Sequence, residues 1–240
     1  MDFFERYIVP SLVGHIDYEC VVESIDYSNK EINVQTSKGI KRADKVILTA
    51  PVKTLQQGAI EFRPPLPKSK QKAIDKVRVW DGCKAFIQFT NAFYPTLYSI
   101  GIKPSSAGQK LFYDAAYGQR SSQNVLGLFA VGVAAHQYQS FDDESRIDFL
   151  LSELDELFDG QASPNYVKHV FQNWTAEPYA RGAYVLDYEN WRRVRTLGRS
   201  VGGRLFFAGD AYTTGEDWSS VHAAARSAQR AVQEILTLGN

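Results

Sequence analysis

Alternation of apolar and polar positions divides the chain into segments of different character. "VVESI" (21–25) and "INVQT" (32–36) alternate with period two and flank "DYSNKE", which predicts a β-hairpin. "KVILTAP" (45–51) is a continuous apolar run of the kind found in a strand buried on both faces, and Pro51 ends it. Residues 3–13 place Phe3, Phe4, Tyr7, Ile8 and Leu12 at near-helical spacing, which predicts a short helix. After "FRPPLPKSKQKAIDKV", a proline stretch leading into a basic helix, three strands are expected at 84–89, 109–114 and 125–132. "DESRIDFLLSELDELF" (143–158) is the clearest amphipathic helix, with acidic residues in its first turn. A strand at 166–174, a loop "EPYARGAY", a short helix in "ENWRRVRTLGR" and a buried strand "RLFFAGD" follow. No repeat or low-complexity tract interrupts this order. The first ~50 and last ~40 residues have the character of an α/β layer. The middle reads as a mixed sheet with helices on one face. The predicted class is α/β plus α+β in two domains.

Composition narrows the function classes. Lys+Arg and Asp+Glu both total 27, so no global field points to nucleic acid or an anionic membrane. No basic stripe interleaved with aromatics appears, and no nucleic-acid partner is expected. No apolar run reaches the roughly 18 residues that would span a bilayer, so no membrane association is expected. "MDFFERYIVPSLVG" lacks the layout of a secretory signal, and Cys20 and Cys83 are isolated, as suits a reducing compartment. A cytoplasmic protein is expected. The histidines at 15, 136, 169 and 222 form no zinc motif, and there is no G-x-S-x-G.

One stretch survives this screen: "RLFFAGDAYTTGEDWSSVHAAARSAQRAVQEIL" (204–236). Gly209 at a strand end lets the backbone approach a ligand closely. Asp210 offers an acceptor for a sugar or polyol hydroxyl. A helix starting near Trp218–Val221 would aim backbone N–H groups at whatever precedes it. Ala223, Ala224, Ala225, Ser227, Ala228 and Ala231 keep that helix slim. The residues alone leave two readings open, a ligand site or a strand–loop–helix ending without one.

The same stretch resembles the closing flavin-binding segment of the flavin amine oxidase family (monoamine, polyamine and L-amino-acid oxidases). Three others agree in the family's order: "VVESIDYSNKEINVQTSKGIKRADKVILTAPVKTL" is similar to its adenine-side hairpin and following strand, "IEFRPPLPKSKQKAIDKVRVWDGCKAFIQF" to its F-x-P-P-L-P … K passage, and "NWTAEPYARGAY" to its W-x-x-x-P-Y-x-x-G-x-Y passage. The resemblance implies part of an FAD-binding fold (1–51 and 198–240) with a mixed-sheet substrate domain (52–197). It implies FAD as cofactor and an amine or amino acid as substrate, oxidised with transfer of electrons to oxygen. By the same resemblance, Val22 falls where a valine backbone meets the adenine, and Lys84 where a lysine holds a water near flavin N5. Trp174 and Tyr179 match positions close to the flavin ring, and Tyr184 a wall of the substrate cage. Gly209, Asp210, Trp218 and Val221 match the segment along the ribityl-pyrophosphate and pyrimidine edge.

Two departures qualify this. Val221 stands where monoamine oxidases have a second cage tyrosine, which puts a two-tyrosine cage in doubt. No G-x-G-x-x-G occurs in the 240 residues, so the pyrophosphate cradle that opens the family's fold is not among them. The expectation is the C-terminal part of an FAD-dependent amine oxidase that works with a dinucleotide-binding chain or self-associates. The alternatives are a non-catalytic remnant or interaction subunit of a split flavoprotein, and a nucleotide module without redox chemistry.

Overall fold

The computed structural model describes residues 4–12, 14, 16–100, 107–186, 190–214 and 217–239. Eleven strands occur among them: β1 Val22–Asp26, β2 Ile32–Thr36, β3 Gly39–Ala43, β4 Val46–Leu48, β5 Glu61–Arg63, β6 Gly82–Phe89, β7 Leu97–Ile100, β8 Gly108–Asp114, β9 Asn124–Gly132, β10 Tyr166–Asn173 and β11 Leu205–Phe207. The helices are α1 Val52–Gln56, α2 Lys68–Lys76, α3 Val133–Gln139, α4 Asp143–Leu157, α5 Ala162–Asn165, α6 Trp191–Gly198 and α7 Val221–Thr237.

The middle of the chain builds a five-stranded sheet in the order β10-β6-β9-β8-β7, with every pair antiparallel. Period-two alternation divides its faces. Cys83, Ala85, Ile87 and Phe89 of β6 join Phe112, Leu126, Leu128 and Ala130 in a closed core beneath α3 and α4. The amphipathic reading of α4 explains how it lands there. Asp142 caps the helix by accepting the Ser145 N–H at 2.8 Å, and Ile147, Leu150 and Leu154 form the buried stripe. The opposite face of β6 carries Lys84, Phe86 and Gln88, none of them buried. That face has no helix over it among the described residues.

A second core joins the two ends of the chain. The predicted hairpin forms between β1 and β2, β3 extends it, and β5 adds in parallel to β1, giving the order β3-β2-β1-β5. The parallel pairing of this fold is therefore found here and between β4 and β11, while the large sheet is antiparallel. The Arg204 guanidinium ties the hairpin to β11 by donating to the carbonyls of Tyr27, Asn29 and Lys30. "KVILTAP" differs from its expectation. Leu48 is buried, but Ile47, on the opposite face of the strand, is 39% exposed, and among the described residues β4 pairs only with β11. Residues 4–11 form a π-helical turn followed by a 3-10 turn rather than one α-helix. Tyr7, Ile8 and Leu12 are exposed, so the apolar spacing has no layer to pack on. Phe3 lies outside the described residues.

Lys70 is the most deeply buried charge near this core. Its ammonium donates to the carbonyls of Thr196, Leu197 and Arg199 at the end of α6 (3.3, 2.7 and 2.6 Å) and lies 3.5 Å from the Phe207 ring centroid. Burial first, then the guanidinium groups of Arg230 and Arg199, pull its pKa down to about 7 from 10.5. Above about 7 the unfolded chain holds the extra proton, so this group makes the protein more stable as pH rises towards 10.5. Lys70→Met is expected to flatten that rise. Urea unfolding midpoints measured across the window check it, and an unchanged slope would remove Lys70 as its source.

Candidate functional site

The stretch "NWTAEPYARGAY" links the separate parts of the site. The Trp174 N–H donates to the Gly82 carbonyl at 3.0 Å, two residues from Lys84 on β6. The chain then turns back so that the Ala183 N–H meets the Trp80 carbonyl (2.8 Å) and the Tyr184 carbonyl accepts from Trp80 N–H (3.1 Å). Next to Tyr184, the Val185 carbonyl accepts from Ser219 Oγ at 2.7 Å, which fixes the approach to α7. The return is tight. A Cβ on Gly182 would lie 2.8 Å from the Trp80 oxygen and 2.9 Å from Val79 Cγ1. Gly182→Val is accordingly expected to destabilise the fold by about 1–3 kcal/mol through overpacking. Denaturant unfolding measures it, and a neutral result would mean that this stretch is looser than described.

Lys84 and Tyr184 meet through Phe129 on the open sheet face. Phe129 is the cross-strand partner of Lys84, and its ring stacks on Tyr184 at 6.4 Å and 10°. The Lys84 ammonium lies 5.9 Å from the Phe129 centroid and 5.7 Å from that of Tyr113, within cation–π range. Tyr113 can lie this close to the sheet because Gly127 is beneath it, where a Cβ would fall 2.5 Å from the ring. Tyr184 is held on two further sides, by Trp80 edge-on at 5.4 Å and by Gln109 Oε1, which accepts its hydroxyl at 3.1 Å. Trp174 is 42% exposed at the end of the neighbouring strand. The result is an aromatic surface with one fixed cation.

Val22 and Tyr179 share a different place, a cavity of about 800 Å³. All six residues from Val46 to Pro51 line it. Alternate side chains of a strand point to opposite faces, so a cavity touched by three consecutive β4 residues runs along the strand's edge. That is the edge β11 does not occupy. The walls are mostly apolar, but the Thr54 hydroxyl on this cavity is buried with no hydrogen-bond partner.

The closing segment is folded partly as expected. Gly209 has φ +142°, open to glycine, but its N–H donates to Ser227 Oγ (2.8 Å) and its carbonyl accepts from the same hydroxyl (2.9 Å). Its polar groups are thus turned to α7. The half-buried Asp210 carboxyl is pushed up by desolvation, offset in part by backbone N–H bonds from itself and Ala211. Trp218 packs against the terminal core. Ser220 caps α7 by accepting the Ala223 N–H, and Val221, its first residue, is 78% exposed. Of the alanine-rich set only Ala223, Ser227 and Ala231 are buried; Ala225 and Ala228 face out.

Phe129, Tyr113, Gln109 and Thr54 were not found from sequence. The first three reach the site through strand register across β6, β9 and β8, which no local pattern encodes. Ser227 carried a usable signal, a polar residue on the slim helix stripe.

Residues 4–236 match the family described as flavin containing amine oxidoreductase. Lysine-specific histone demethylase 1B of Mus musculus is 32% identical over 197 residues, covering 79% of this chain and 24% of that protein. Probable polyamine oxidase 4 of Arabidopsis thaliana is 27% identical over 208 residues, covering 85% and 41%. A solved structure of a putrescine oxidase triple mutant, from a redesign of cofactor binding, superposes with a TM-score of 0.74 at 19% identity, covering 91% of this chain and 48% of that one. The chain thus spans between about a quarter and half the length of these relatives.

Proposed function

Since the chain belongs to the flavin containing amine oxidoreductase family, whose cofactor is FAD, we propose that it forms the C-terminal half-site of an FAD-dependent amine oxidase. A dinucleotide-binding segment outside these 240 residues, on the same or another polypeptide, would complete it. The observation that carries this reading is the apolar cavity along the unpaired edge of β4, with Val22 and Tyr179 on its walls. An unpaired strand edge presents a row of free N–H and C=O groups, so this edge is suited to a further strand and the apolar cavity beside it to a flat ligand end.

The residues fit FAD at its two ends. Val22 and the apolar wall from Val46 to Pro51 suit an adenine. Asp210 suits a ribityl hydroxyl, with Trp218 and Val221 beside the ring edge. The anionic middle is different: Gly209 spends its N–H on Ser227, so pyrophosphate donors would come from the companion segment. Bound FAD would supply the electron acceptor for oxidation of the amine's C–N bond.

This chain's own residues do the rest. Tyr184, stacked on Phe129, edge-on to Trp80 and hydrogen-bonded to Gln109, is an immobile wall that orients the substrate. Trp80, Phe129 and Tyr113 displace water from the same face. The Lys84 cation disfavours a second positive charge nearby and so favours the neutral, reactive form of the amine. An imine product would hydrolyse after release. The test is reconstitution with a dinucleotide-binding segment and FAD, followed by amine-dependent hydrogen peroxide formation. A flavin-loaded assembly that oxidises no member of a panel of mono-, di- and polyamines would refute the assignment.

A further inference from the structure

A second group of side chains lies away from the β4 cavity and shares no residue with it. Two adjoining cavities of about 320 and 410 Å³ share Thr213, Thr214 and Arg230, forming a furrow between the end of α6 and the flank of α7 from Ala223 to Glu234. Four guanidinium groups line it, Arg195, Arg199, Arg226 and Arg230, against two carboxylates, Asp217 and Glu234. Asp217 is already paired with Arg226 and has His222 Nε2 at 3.5 Å, and Glu234 lies 3.4 Å from Arg230. Among the described lining residues an excess of two positive charges remains, in a chain whose formal net charge is zero.

Arg230 is anchored rather than free to swing. It donates to the carbonyls of Gly198 (2.7 Å), Phe207 and Tyr212 (2.9 Å each), while its Nε is buried with no hydrogen-bond partner. With its outer nitrogens spent on these carbonyls and on Glu234, Arg230 forms the fixed charged floor of the furrow, and the exposed guanidinium groups of Arg195, Arg199 and Arg226 are the donors whose planar forks match an oxyanion. The local field is strong enough to be felt behind the furrow, where Arg230 and Arg199 help to hold down the pKa of Lys70.

We propose that this furrow is a second ligand site, for a small phosphate-bearing anion. It stands apart from the cavity assigned to the flavin and does not depend on that assignment. The test uses the full chain and isothermal titration calorimetry at constant ionic strength, with inorganic phosphate and ADP as separate probes. One saturable site is expected, at least about tenfold weaker in Arg195→Gln/Arg199→Gln. Arg230 is left intact because it holds three carbonyls. Equal affinity for both probes assigns the phosphate group alone; tighter binding of ADP that Arg195→Gln/Arg199→Gln loses assigns a nucleotide, whereas ADP binding that survives in the double variant is adenine in the β4 cavity and, without phosphate heat, overturns the proposal. Thermal unfolding of the ligand-free double variant should match the parent, which separates lost binding from lost fold. No saturable heat with either probe, or equal affinity in parent and variant, overturns the proposal. As a single-site control, Arg226→Gln should also weaken binding, and binding at full strength there would exclude the α7 side of the furrow.

Discussion

Lys84→Met, in a flavin-loaded assembly, is expected to slow the return of electrons to oxygen by roughly tenfold to a thousandfold, or about 1.4–4 kcal/mol. Reduction of oxygen develops negative charge, and a preorganised cation in a partly dry site stabilises that charge more than it affects the neutral amine. The structure supplies the preorganisation. Lys84 stands in the middle of β6, paired on one side with Gln172 and on the other with Phe129, with the Tyr113 and Phe129 rings flanking its ammonium. Methionine keeps most of the apolar length, and the packed face of β6, with Ala85 and Ile87, is untouched. Stopped-flow measurement of the two half-reactions separates the effects. Anaerobic reduction by amine should change much less than reoxidation, and unchanged reoxidation would make Lys84 a structural lysine.

Flavin affinity is expected to differ by at least about two decades between this chain alone and the completed assembly. The closing segment offers no free donor at Gly209, whose N–H and carbonyl are both bonded to Ser227. The pyrophosphate charge would then be unpaired in the isolated chain. Charge-assisted hydrogen bonds contribute about 1.5–3 kcal/mol each, so two lost bonds already weaken binding by roughly two to four decades. Titration of FAD fluorescence with the chain, with and without a dinucleotide-binding segment, checks it. Equal affinities would mean that these 240 residues form their own phosphate cradle.

What the sequence made legible was whatever local pattern encodes. The strands expected at 84–89, 109–114, 125–132 and 166–174 correspond to β6, β8, β9 and β10, and period-two alternation applied to 84–89 puts Lys84 opposite Ala85, Ile87 and Phe89, as found. Capping and periodicity located α4, and the alanine-rich stretch located α7. The short strands β5 and β7 were missed because three or four residues carry no period, and β5 is a strand only through its parallel pairing with β1. The run 45–51 showed a buried strand, and the absence of a G-x-G-x-x-G segment from the 240 residues already implied that it lacks a sheet neighbour; that β11 is the partner it keeps came only from the pairing. Motif resemblance singled out Tyr184 and Trp174 as candidates, while the contacts that immobilise Tyr184 depend on Gln109 and Phe129, reached only through register. Long-range pairing is the information that the local pattern lacks.

If this chain presents the amine-oxidising face of a flavin site completed by a dinucleotide-binding segment, the visible spectrum of the reconstituted assembly, followed anaerobically as amine is added, shows it directly. The chain purified alone should be nearly colourless, the assembly yellow, and amine should bleach it to the reduced form. A chain that is stoichiometrically yellow by itself, or a yellow assembly whose absorbance no amine in the panel bleaches, would contradict that assignment.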